Sequence, residues 1–133
     1  MLFRSSQEML GRAFRKCGFP LPMMVFSAVE GLDFLHKAEG RFIKLILVDL
    51  NLPAMSGFEF LAELRKSSYQ LIPVVIFSTS VDPSDIQRSY LLRANAYISK
   101  PSGYSELIKT MQSVNDFFFN CIQLPDVLSN SIE

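Results

Sequence analysis

Two runs in this chain are apolar at every position, Leu45-Ile46-Leu47-Val48 and Val74-Val75-Ile76-Phe77. Unbroken branched or bulky apolar residues over so short a length, without polar alternation, are the pattern of strands buried on both faces, as at the centre of a parallel sheet. Each run stops on polar side chains, Asp49 in the first case and Ser78-Thr79-Ser80 in the second. Around these runs the apolar positions change to helical spacing. Ser5 and Glu8 form a capping box ahead of Met9, Leu10, Ala13, Phe14 and Cys17, and Gly18 ends that helix. Met23 to Phe26 is a short strand. Ser27 and Glu30 repeat the capping-box spacing before Val29, Leu32, Phe34 and Leu35, in a helix that ends near Gly40, and the strand that delivers Asp49 then runs from about Phe42 to Val48.

Past the turn from Pro53 to Gly57, Phe58, Phe60, Leu61 and Leu64 define an amphipathic helix that fades at Ser67-Ser68. Pro73 to Phe77 is the second fully apolar strand. Asp82-Pro83-Ser84-Asp85 is a loop and helix-capping signal, with Ile86, Tyr90 and Leu91 on the helix behind it. Ala96 to Ser99 makes a short strand that ends in Lys100-Pro101, and Leu107, Ile108, Met111 and Val114 mark a last helix. This alternation predicts an α/β fold, a doubly wound parallel sheet with right-handed crossovers and helices on both faces. The stretch from Phe117 to Pro125 is more apolar than a free terminus should be, so it must pack on the domain or on a partner, whereas Leu128 to Glu133 is expected to fray. The expected organisation is a domain over 1–116 and an aromatic extension over 117–133.

Composition narrows the function classes. At 133 residues and 49% apolar, the chain fits one domain with a core. Lys plus Arg and Asp plus Glu balance at 13 each, so no net field favours nucleic acid or an anionic membrane. No apolar run approaches the roughly 20 residues that span a bilayer, and the start does not resemble a signal peptide, which leaves the cytoplasm. Cys17 and Cys121 lie in apolar helical contexts and read as buried free thiols. His36, the single histidine, reads as a surface or boundary residue, and the absence of histidine near the sheet edge argues against histidine acid/base catalysis.

Three parallel strands would bring a carboxylate (Asp49), a hydroxyl (Ser78) and an amine (Lys100) to one edge of one sheet, where open α/β sheets place their ligands. That set suits an aspartate that accepts a phosphoryl group, with the ammonium neutralising one phosphoryl oxygen and the hydroxyl donating to another. Such a site also calls for a divalent cation, held by one or two further acids. Thr79 and Ser80 read as loop-capping groups, and Asp82 and Asp85 fit a helix N-terminus better than the crevice.

These residues carry a resemblance. Leu45 to Pro53 with Gly57, Pro73 to Ser80, and Ala94 to Pro101 together resemble the receiver domain of two-component response regulators, over roughly Phe3 to Val114. The resemblance implies the CheY-like, flavodoxin-like three-layer α/β/α fold. The Ser78-Thr79-Ser80 triplet and an aromatic tail ending in Leu124-Pro125 are similar to small single-domain regulators paired with phytochrome-type histidine kinases. It further implies that Asp49 is the phosphoacceptor and a metal ligand, that the backbone carbonyl of Asn51 is a second ligand to Mg²⁺, and that Ser78 is the switch hydroxyl. Tyr97 matches the rotating switch aromatic and Lys100 the phosphate-contacting lysine, whose bond to Pro101 is often cis in the family.

The departure lies at the front. Family members open with an apolar strand ending in two adjacent acids that hold the Mg²⁺, yet no Asp or Glu precedes Glu8 here. The first strand is expected to be missing or truncated, and metal binding is doubtful in the chain as it stands. The leading expectation is a single-domain response regulator that takes a phosphoryl group on Asp49 from a histidine kinase and signals through contacts with a downstream protein. It would be no enzyme beyond self-catalysed phosphotransfer and dephosphorylation, and would gain little phosphate without the acids. A homodimer through the last helices and the aromatic tail is a further expectation. The alternative is an unphosphorylated receiver acting as a constitutive interaction module. An aspartate-nucleophile phosphohydrolase ranks a distant third, because such enzymes carry a second acid two residues on, where this chain has Asn51.

Overall fold

The computed structural model describes Leu2, Phe3, Met24, Val25, residues 31–33, Leu35, and residues 43–51 and 55–125. The strands are β1 (Leu2–Phe3), β2 (Met24–Val25), β3 (Ile46–Val48), β4 (Val74–Ser78) and β5 (Ala96–Ser99). The helices are α1 (Gly57–Lys66), α2 (Pro83–Leu91) and α3 (Tyr104–Asn120), and residues 31–33 and 35 are also helical. All strand pairs are parallel, in the order β2-β1-β3-β4-β5. Among the described residues, Leu2–Phe3 lies between β2 and β3, with Leu2 in register with Leu47.

The unbroken apolar runs work as two interleaved sets because successive side chains on a strand point to opposite faces. Ile46, Val48, Val74 and Ile76 pack on one face with Leu35 and with Phe58, Phe60, Leu61 and Leu64 of α1. Leu45, Leu47, Val75 and Phe77 pack on the other with Leu107, Met111, Val114 and Phe118 of α3. A sheet covered on both sides leaves no place for polar alternation.

Helix α1 starts where Ser56 accepts the Glu59 N–H, and α2 where Asp82 accepts the Ser84 N–H with Pro83 just inside. Of the α2 residues only Ser89 is buried, whereas Tyr90 and Leu91 are exposed. Their apolar character therefore predicted the helix without predicting its inner face. Helix α3 runs unbroken across the boundary expected at 116/117, with Phe118 in the core, and Ile122 and Leu124 fold back against the same cluster. Phe117 and Phe119 stay exposed.

Two expectations are corrected. Cys121 is an exposed free thiol, because it caps α3 after the helix has passed the sheet. The Lys100–Pro101 bond is trans, in line with the ordinary preference of the X-Pro bond. The helix expected from Ser5 to Gly18, Cys17, His36 and the residues from Leu128 onward lie outside the described residues. Among the described residues, no helix is long and apolar enough to cross a membrane.

Candidate functional site

Asp49 follows β3 immediately, is 3% exposed, and faces the carboxyl edge of the sheet. Its Oδ1 accepts the Asn51 N–H at 3.0 Å, an Asx-type turn that fixes the carboxylate over the start of its own loop. Its Oδ2 lies 2.5 Å from Lys100 Nζ. Lys100 follows β5, with β4 lying between that strand and β3. Two strand spacings amount to roughly 10 Å, which requires the four-carbon stem of a lysine. The stem crosses the end of β4, with Nζ 5.9 Å from the Phe77 ring centre.

Gly57 holds this geometry from below. Its N–H donates to Leu50 O at 3.1 Å, and a Cβ on it would come within 2.4 Å of Asp49 O and 2.9 Å of Leu50 Cα. Only glycine lets the first turn of α1 press against the backbone that carries Asp49.

Ser78 ends β4 and is fully buried. Its Oγ accepts the Ser80 N–H at 3.1 Å, and its carbonyl accepts the Lys100 N–H at 2.8 Å. Ser78 and Ser99 are in register, so Lys100 leaves the sheet beside the Ser78 hydroxyl. Tyr97 lies on the first face of the sheet, partly buried against the α1 cluster, and its hydroxyl donates to Ser80 O at 2.8 Å. The fold therefore brings Asp49 and Lys100 into contact, puts Ser78 on the same rim, and ties Tyr97 to the loop that follows Ser78. Asn51 is exposed beside them. Asp82 caps α2 and Asp85 sits in its first turn, as their spacing predicted.

The carboxylate chemistry favours a cation, but the donor set among the described residues is small. Among the described residues, no group of three His, Cys, Asp or Glu side chains comes together as metal ligands. One carboxylate that already accepts from Lys100, together with a backbone carbonyl at Asn51, falls short of the several oxygens Mg²⁺ needs. These residues alone do not fit the ion.

Sequence reading missed Arg65. It occupies the apolar stripe of α1, one turn after Leu61, and is 9% exposed. All five guanidinium hydrogens are spent on neutral acceptors: Nε to Arg93 O (3.1 Å), Nη1 to Gln70 O (2.7 Å) and Ile72 O (2.8 Å), and Nη2 to Arg93 O (2.8 Å) and Asn95 Oδ1 (3.1 Å). Burial, and after it the charge of Arg93, pulls this guanidinium down to about 10. The signal available beforehand was a charged residue on a helix face otherwise made of Phe58, Leu61 and Leu64.

The family model for the response regulator receiver domain matches residues 5–112. Over 119 residues the chain is 30% identical to the probable methanogenesis regulatory protein FilR2 of Methanothrix harundinacea, covering 86% of this chain and 77% of that protein. It is 39% identical over 82 residues to response regulator Rcp1 of Synechocystis sp., covering 61% and 56%. Among solved structures it is similar to the phosphorylated cyanobacterial phytochrome response regulator RcpA, with a TM-score of 0.82, 30% identity and coverage of 93% and 96%. It is also similar to the Mn(2+)-bound form of Rcp1, with a TM-score of 0.78, 27% identity and coverage of 93% and 96%.

Proposed function

The chain belongs to the response regulator receiver domain family, and from that premise we propose that Asp49 accepts a phosphoryl group from a sensor histidine kinase. An Asp49 oxygen attacks phosphorus, the P–N bond of the kinase phosphohistidine breaks, an acyl phosphate forms and the imidazole leaves with a proton. Lys100 neutralises a phosphoryl oxygen. The Ser78 hydroxyl, which accepts from Ser80 and donates to no described residue, gives its hydrogen to another. Tyr97, tied to Ser80, follows Ser78, and the altered surface around α2 and α3 is read by a downstream protein. The observation that carries this reading is the reach of Lys100 across β4 to a buried carboxylate.

The likeness to RcpA, a phytochrome response regulator, supports a phytochrome-type kinase as the donor. Phe117 and Phe119, 51% and 37% exposed at the end of α3, support a homodimer through this end of the molecule. A Mn(2+)-bound relative supports a divalent cation as helper. Beyond this transfer and its hydrolysis the chain is no enzyme.

Intact mass after prolonged incubation with an acyl phosphate and Mg²⁺ tests the reading. The expected result is a low-stoichiometry gain of one phosphoryl group, absent from Asp49→Asn. A folded chain that gains none under any donor is instead the constitutive interaction module, the second reading, which the small donor set among the described residues favours.

A further inference from the structure

The loop after β4 carries contacts that the reading above does not use, and they converge on Ser80. Its N–H donates to Ser78 Oγ at 3.1 Å and its carbonyl accepts the Tyr97 hydroxyl at 2.8 Å. Its own hydroxyl donates to Asp85 Oδ2 at 2.7 Å and accepts the Asp82 N–H at 3.2 Å. One residue thus holds the switch hydroxyl, the switch aromatic and the first turn of α2. Helix α2 has little else to seat it. Ser89 is its one buried residue, Leu91 is 76% exposed, and Arg88 lies with its guanidinium carbon 4.2 Å above the Phe58 ring. A helix without an apolar face takes its position from polar links at fixed points.

We propose that Ser80 and Asp85 are positioning residues, forming a latch that makes Tyr97 and α2 respond to Ser78 as one body. The proposal rests on Ser78 and Tyr97 acting as the switch. When the Ser78 hydroxyl turns to donate to a phosphoryl oxygen its Oγ moves, and Ser80, whose N–H it accepts, is drawn with it. Ser80 then shifts, and because its carbonyl holds Tyr97 while its hydroxyl holds Asp85, the ring and the helix are displaced together. Without the latch, the loop carbonyl moves and α2 stays behind.

The test is a set of double-mutant cycles in urea, read without any phosphodonor. Tyr97→Phe removes a bond to the Ser80 backbone, whereas Ser80→Ala removes a bond to Asp85, so two independent structural contacts would give additive shifts. The latch predicts coupling. Tyr97→Phe lowers the urea midpoint of the wild-type chain, and shifts it by less than half as much in the Ser80→Ala background and in the Asp85→Ala background. Ser80→Thr, which keeps the hydroxyl, restores the full shift. Equal shifts in every background overturn the latch, and so does loss of coupling in only one of the two variants. A chain that takes phosphate on Asp49 yet gives additive cycles loses the latch alone, whereas coupled cycles with no phosphate gain keep the static link through Ser80 and Asp85 but remove the phosphoacceptor reading and with it the response to Ser78.

Discussion

Replacing Arg65 with methionine keeps most of the buried volume and removes every polar atom of the side chain. Four acceptors lose a donor: Gln70 O, Ile72 O, Arg93 O and Asn95 Oδ1. A buried acceptor left without a partner costs roughly 1–3 kcal/mol; only Ile72 O is fully buried and the other three are partly open to water, so at about 1 kcal/mol for each of those the gross loss is about 4–6 kcal/mol. Asn95 Oδ1 still accepts the Val74 N–H at 2.8 Å, which places its share at the low end. Against this, the charge no longer has to be buried. A guanidinium pulled down to about 10 by burial and Arg93 represents about 3 kcal/mol of unfavourable environment at roughly 1.4 kcal/mol per unit. The net expectation is a loss of about 1–3 kcal/mol, or roughly 4–12 °C in melting temperature for a domain of this size. Lysine decides the matter. It keeps the buried charge but has three donors on one nitrogen where the fork has five, so Arg65→Lys must be at least as destabilising as Arg65→Met. Chemical denaturation with matched m-values measures both. A lysine variant within about 1 kcal/mol of the wild type would show that charge alone, without the five-bond fork, holds this corner together. The same clamp keeps Arg93 at a φ of 69°, with its own guanidinium returned to Arg65 O at 2.9 Å. Backbone amides of residues 93–95 should therefore lose exchange protection in both variants.

Gly57→Ala drives a methyl into Asp49 O and Leu50 Cα; overpacking of this kind costs about 1–3 kcal/mol, and calorimetry should show that loss together with a slower mass gain at Asp49. Lys100→Met leaves the buried Asp49 carboxylate without its ammonium, and the chain should lose about 1–3 kcal/mol, less than the 3–5 of a fully stranded charge because Asn51 still donates; adding Asp49→Asn should recover most of it in the same denaturation assay. The Asp82 carboxyl is held below its ordinary value by hydrogen bonds from the Ser84 N–H and hydroxyl. Its contribution is thus complete above the ordinary carboxyl value and lost as pH falls through the lowered one, so amide exchange in the first turn of α2 should accelerate only in that acid range. Phe118→Ala should cost about 3–5 kcal/mol in urea unfolding and Phe117→Ser within about 0.5, because the first is in the core and the second is 51% exposed; equal costs would mean that the exposed ring is covered in solution.

Much of the fold and the outline of the site could be read from short stretches of chain, because the properties involved are local. A run such as Val74 to Phe77 has only one way to satisfy its backbone while hiding both faces, and a polar residue that ends such a run is bound to emerge at the strand's carboxyl end. That reasoning placed Asp49, Ser78 and Lys100 on one rim, and Asp82 and Ser84 at the head of a helix. Other features depend on which distant segment arrives alongside, and no local pattern encodes that. Arg65 reads as a lone charge on the apolar stripe of its helix until the loops entering β4 and β5 present it with carbonyls 5 to 28 residues away. Tyr90 and Leu91 mark α2 as a helix, but only its packing turns Ser89 inward and leaves them exposed. Ser80 reads as a loop hydroxyl until Asp85 and Tyr97 meet it from two different elements. Solvent aversion and strand or helix periodicity act between neighbours in the chain and are written there. The pairing of a particular donor with a particular acceptor forms only after the chain has closed, and tertiary structure alone decides it.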